Sequence, residues 1–362
     1  MASFRHLRTV FAAMSVACLL AAIANGQPPE KPAEKPAEKP AKASEGAYKI
    51  LKTFDVGGEG GCDYLTVDPE ARRLYVSHGT RVEVLDADTG KVVGEIADTP
   101  GVHGIALAPD VGRGFTSNGR ANTATIFDLK TLKVIGTVET GQNPDAIVFE
   151  PTTKRIFTMN GRSGDTTAID AATGKVVGKI ELGGKPEFAV ADGAGKLFVN
   201  IEDKSEVVSL DPKELKVTAR WSVKPGEEPS GLALDVKNHR LFSVCGNKMM
   251  VVLDAETGKV LATPAIGDRV DGAAFDPATG LAYSSNGDGT LTIVHEESPG
   301  KFTVVENVAT QRGARTIALD LKTHNVYLPT AEFGPPPEPT KDAPRQRPSI
   351  KPGTFKILVI GK

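Results

Sequence analysis

Three stretches of this chain are nearly identical: DADTGKVVGEI at Asp86, DAATGKVVGKI at Asp170 and DAETGKVLATP at Asp254, spaced 84 residues apart. Looser copies fall midway, DLKTLKV at Asp128 and DPKELKV at Asp211, and HEESPGK at His295 extends the series, so the true step is 41 to 43 residues. A second landmark precedes each copy: YLTVDP at Tyr64, GIALAP at Gly104, AIVFEP at Ala146, FAVADG at Phe188, GLALDV at Gly231, GAAFDP at Gly272 and TIALDL at Thr316. A third is the RLYVS type that begins at Arg73. Each copy therefore reads as four short strands punctuated by Gly, Pro and Asp, and no segment carries a convincing helical period. Four short strands cannot cover their own apolar faces, so successive sheets must stack.

A period near 42 residues with four strands per period predicts an all-β fold, a seven-bladed β-propeller of four-stranded antiparallel blades. The last copy ends at FKILVIGK with no fourth strand after it. The segment YKILKTFDVG from Tyr48 precedes the first copy and aligns with KVIGTVETG at Lys133. The N-terminal strand is therefore expected to close the last blade and remove its open edge.

The remainder divides cleanly. Residues 1–26 have a basic start (Arg5, Arg8), an apolar run and Ala22-Ile23-Ala24, the pattern of a signal peptide, which predicts export to the periplasm or beyond. Residues 27–46 repeat EKPA and contain no large apolar side chain, so they are expected to be a solvated linker. The propeller then spans 47–362, with a proline-rich insertion at 331–354 in the last blade. The formal charge is −2, and losing Arg5 and Arg8 makes it −4, which gives no general attraction to nucleic acid or anionic membrane. The shortened chain keeps Cys62 and Cys245, which an exported protein could pair.

Gly-x-x-Pro before an apolar strand, then RLYVS, then V-x-V-x-D-x-x-T-G-K-V, resembles the YVTN-repeat β-propellers, the YncE-like group above all. The resemblance covers essentially all of Tyr48–Lys362. It implies a fold rather than one activity, because similar propellers serve as lactonases, quinoprotein subunits, surface-layer proteins and binding modules.

In such a ring the residue just before each first strand faces the central channel. Those positions are Asp63, His103, Asp145, Glu187, Ser230, Asp271 and Arg315, a charged funnel. Converging carboxylates raise one another's proton affinity unless a cation lies between them. No cofactor is predicted; a divalent cation is the one inorganic group invited, with Asp63, Glu187, Asp271 and His103 as its candidate ligands. The second-to-third strand turns are expected to add an outer ring through His78, Asn118, Asn160 and Asn286, with Asn-Gly pairs supplying positive φ. Arg81, Arg120, Arg162, Lys204 and Lys248 would form a basic rim. The insertion is expected to be a lid with Glu332 and Phe333 facing the channel. Serine-hydrolase, haem-attachment, P-loop and dinucleotide motifs are absent from the sequence. The reading is an exported, non-catalytic monomer that binds a protein partner or small ligand at its funnel; the alternative is a metal-dependent, lactonase-like hydrolase with His103 as base.

Overall fold

The computed structural model describes residues 47–298, 300–335 and 349–362. The expected signal segment, the linker and the middle of the insertion lie outside them. Within the described residues, seven four-stranded antiparallel sheets form the blades of a β-propeller. Blade one is Leu65–Asp68, Arg73–His78, Arg81–Asp86 and Val92–Ile96. Val102–Ala108, Pro144–Glu150, Pro186–Ala191, Pro229–Asp235 and Val270–Asp276 open blades two to six. These first strands pack against one another around the axis, and the ring closes where Ala318–Leu319 of blade seven meets the first strands of blades six and one.

Closure happens as the sequence predicts. Blade seven is built from Ala318–Leu319, Val326–Thr330, Lys356–Gly361 and, outermost, the N-terminal strand Lys49–Asp55. Lys49 pairs with Gly361 and Asp55 with Lys356, so the end of the chain finds its edge partner at the beginning. The insertion does occupy the second-to-third strand connection of this blade.

Stacking accounts for the core. Among the described residues there are seven separate apolar clusters, and each lies at the junction of two neighbouring blades. Between blades one and two, for example, Tyr75, Val84 and Ile96 meet Val102, Phe127 and Leu132. The repeated phrase lies far from the funnel. Asp86 ends the third strand, and its carboxylate accepts from Thr89 N at 2.8 Å and Thr89 Oγ1 at 2.7 Å. Gly90 then takes φ 73°, which a glycine adopts without strain. Asp170 and Thr173 repeat the arrangement, as do Asp254 and Thr257.

The two cysteines do not pair: Cys62 packs at the junction of blades seven and one, and Cys245 at that of blades four and five. Burial pushes both thiols up to about 12. Among the described residues no helix is long and apolar enough to cross a membrane.

Candidate functional site

All seven positions expected at the channel mouth line one cavity of about 520 Å³. The reason lies in the backbone. In blades two to six the pairing between first and second strands slips where the ring residue sits: between Val102 and Ile105, Pro144 and Ile147, Pro186 and Ala189, Pro229 and Leu232, and Val270 and Gly272. A bulge leaves a residue out of the ladder and re-aims its side chain. Five blades thus turn His103, Asp145, Glu187, Ser230 and Asp271 into the channel by one device.

The ring is also held from behind. Ser77 Oγ accepts from Asp63 N at 2.9 Å, and Thr316 Oγ1 donates to Asp63 O at 2.5 Å. Ser117 Oγ and Ser285 Oγ donate to the carbonyls of Asp145 and Arg315. Ser230 Oγ donates to Val270 O at 3.2 Å, and Asn200 Nδ2 to Ser230 O at 2.8 Å. All of these ties except the Ser77 bond, which lies within blade one, link neighbouring blades, so the site is fixed before any ligand arrives.

Its charges form two chains. In the first, His103 Nδ1 lies 2.6 Å from Asp63 Oδ2 and 3.7 Å from Asp145 Oδ1. Arg315 joins Asp63 Oδ1 at 3.3 Å and also contacts Asp271. In the second, Lys185 bridges Glu187 and Glu202. Across the cavity seven carboxylates face three permanent cations and His103, so negative charge is in excess. Burial, then the charge of Asp63, pushes Asp145 up to about 6. Burial, then Asp145, pushes Glu187 up to about 8, against the lowering contact with Lys185. Burial disfavours the His103 cation, but the Asp63 hydrogen bond and the nearby carboxylates outweigh it and raise its pKa. Tyr64 lies at the floor beside Phe188, with ring centroids 5.4 Å apart, its hydroxyl held far above its usual value by burial and then by Asp145.

The outer ring does not form. Asn118, Asn160 and Asn286 are fully buried and spend their amides inside their own blades. Asn118 Nδ2 donates to Thr125 Oγ1 at 2.8 Å, Asn160 Nδ2 to Thr167 Oγ1 at 3.0 Å and Asn286 Nδ2 to Thr292 Oγ1 at 3.0 Å. Strand-end side chains on the packed face brace the second strand against the third. His78 is buried too, its ring 4.7 Å from that of Phe355. Positive φ is not the reason for the paired glycines either. Gly119, Gly161 and Gly287 lie outside that region, and a Cβ on Gly119 would stand 2.7 Å from His103 Nε2. Gly119 makes room for the imidazole.

Glu332 and Phe333 do not face the channel. They line a neighbouring cavity of about 600 Å³ with Gly313 and Lys351, where Phe333 covers Gly313 and Lys351 Nζ bonds Glu332 at 3.1 Å. The arms of the insertion pair with each other, Lys351 N donating to Glu332 O at 2.8 Å, and that turns these side chains toward the junction of blades six and seven. Arg269 lines both cavities. Much of the basic rim is locally neutralised: Arg81 pairs with Glu83 at 2.6 Å, Lys204 with Asp203 at 3.3 Å and Lys248 with Asp268 at 3.2 Å. Of the four candidate metal ligands, Glu187 is engaged by Lys185 and Asp271 by Arg315. Among the described residues the donors that do converge are Asp63, His103 and Asp145, whose ligand atoms all lie within 4.8 Å of one another. Tyr64, Lys185 and Arg269 were not expected at the funnel; Lys185 and Arg269 share a positional signal, each standing two residues before a ring carboxylate, Glu187 and Asp271.

No family model matches the chain, and no curated protein does. Solved structures do. A chain of the mitotic checkpoint complex superposes with a TM-score of 0.71 over 95% of this chain and 99% of its own, at 15% identity. A chain of hydrazine synthase from Kuenenia stuttgartiensis gives 0.67 over 74% and 92%, at 18% identity. The likeness is one of fold. At such identity it carries no activity to this chain.

Proposed function

We propose that this chain is an exported, YncE-like binding protein whose funnel takes a small organic cation, one bearing amine or guanidine groups. The observation that carries the reading is the excess of carboxylates over cations around one cavity of about 520 Å³. A neutral or anionic ligand would leave the carboxyls of Asp145 and Glu187, on adjacent blades, uncompensated, whereas an ammonium group placed between them relieves the repulsion and donates hydrogen bonds to both. Bulges and serine ties hold the carboxylates in place, so little ordering is required on binding. Export rests on the leader-like sequence of residues 1–26, and the YncE-like assignment on the repeat phrase.

The test is a panel of spermidine, agmatine, glucose and gluconate against metal-free protein, read by calorimetry. At pH 8.5, where Glu187 has lost its proton, saturable binding of the two amines, weakened at least tenfold by Glu187→Gln, is expected. Equal binding of all four, or no binding of the amines at millimolar concentration, would sink the reading.

A further inference from the structure

The side chains at the mouths of blades one to three are closer together than a general cation funnel requires. We propose that Asp63, His103 and Asp145 form a binding site for a divalent transition-metal ion, with zinc the ion that best suits the donor set.

The donors are one imidazole nitrogen and two carboxylate oxygens, a set zinc accepts, with a fourth position left open toward the cavity. Calcium would need about six to eight oxygens, more than this corner supplies. A tetrahedral ion with bonds of ~2.0–2.1 Å holds its ligands about 3.3 Å apart. Here His103 Nδ1 is 2.6 Å from Asp63 Oδ2 and 3.7 Å from Asp145 Oδ1, values on either side of that spacing. Sub-ångström side-chain adjustments would seat the ion, which would replace the proton His103 now shares with Asp63. Two carboxylates would balance the divalent charge.

A second observation is independent of this spacing. Asp145 Oδ1 is buried and has no hydrogen-bond partner. His103 Nδ1, at 3.7 Å, is too far to hydrogen-bond it, and a buried carboxylate oxygen without a hydrogen bond is costly. The other ring carboxylates are engaged by cations: Asp63 and Asp271 by Arg315, Glu187 by Lys185.

The surroundings are those a metal centre uses to orient its ligands. Arg315 holds Asp63 Oδ1 at 3.3 Å, leaving Oδ2 toward His103. Ser117 fixes the backbone carbonyl of Asp145, and the bare Cα of Gly119 admits the imidazole. The inference goes beyond the organic-cation reading and shares only Asp145 with it, resting on the spacing of three donors and not on the overall charge of the funnel.

The experiment is equilibrium dialysis of the full chain, stripped with chelator, against zinc alone, with cobalt(II) absorption as a second readout. The result expected is one equivalent of zinc per chain at micromolar or tighter affinity, and a visible cobalt band of tetrahedral intensity. Asp145→Asn should weaken zinc binding at least tenfold and His103→Gln should abolish the cobalt band. Glu139→Gln, an exposed carboxylate at the end of the outer strand of blade two and outside the cavity, should leave both within about twofold. Circular dichroism and melting curves establish that each variant is folded. Substoichiometric zinc in the folded wild type, or binding unchanged in the Asp145 and His103 variants, overturns the proposal and leaves His103 as an imidazolium held between two carboxylates. No organic cation is present, so failure here leaves the spermidine titration standing.

Discussion

Glu187 is a buried carboxyl that holds its proton more tightly in the folded chain than in the unfolded one. The sign of its effect follows. A raised folded pKa means that its contribution to stability is present below the ordinary carboxylate range and is lost as pH rises toward about 8. Glu187→Gln keeps the shape and removes the charge. Melting curves should show the variant more stable than wild type at pH 8.5, by about 1–2 kcal/mol, with the difference vanishing near pH 4.5. A constant difference across that range would mean that the contact with Lys185, and not the buried charge, decides its worth. The ring residues themselves were legible in the sequence, because each occupies a fixed place before a recurring strand. Asn118 and its equivalents were misread because sequence shows that a side chain ends a strand but not which face it takes.

At the scale of strands and turns, the phrase is repeated imperfectly, and its variations are correlated across blades. In blade five the turn carries Gly258 at φ 70°, and a Cβ there would stand 2.0 Å from Trp221 on the outer strand of blade four. In blade two the same turn carries Leu132, and the outer strand of blade one has Gly94 beneath it. Leu215 and Gly178 repeat this exchange between blades four and three. A large residue on one side is matched by glycine on the other. Gly258→Leu should therefore cost more than about 3 kcal/mol, from both overpacking and the positive φ. Adding Trp221→Gly should recover at least ~1 kcal/mol of that loss, measured by denaturant unfolding of the two single variants and the double. Strict additivity would contradict the pairing. The repeat was plain in the sequence, but this compensation was not, because the partners belong to consecutive copies and meet only when blades stack.

For the whole molecule the first consequence is closure. Lys49–Asp55 covers the last open edge, and Tyr48 adds a hydroxyl contact to Tyr283 at 2.9 Å and a backbone bond to Glu306 at 3.1 Å on blade six. A chain starting at Val56 loses Phe54 from the junction of blades seven and one and exposes Lys356–Gly361 as a bare edge. A loss of more than about 4 kcal/mol and association on size exclusion are expected; an unchanged melting point and a monomeric profile would show the clasp to be dispensable. The second consequence is the funnel, where each blade supplies one side chain to a common centre, so its charge is a property of the ring and not of any local motif. That is why seven separated residues could be placed together from spacing alone, while the insertion, which breaks the period, could be placed in the chain but not aimed.

The central claim is that this excess of negative charge binds a cation. Calorimetric titration of metal-free protein with spermidine across pH 5 to 9 tests it most directly. Binding should strengthen as pH rises through about 6 and about 8, where Asp145 and Glu187 lose their protons, and the gain above pH 7 should disappear in Glu187→Gln. Affinity that is flat with pH, or equal in wild type and variant, would contradict the account.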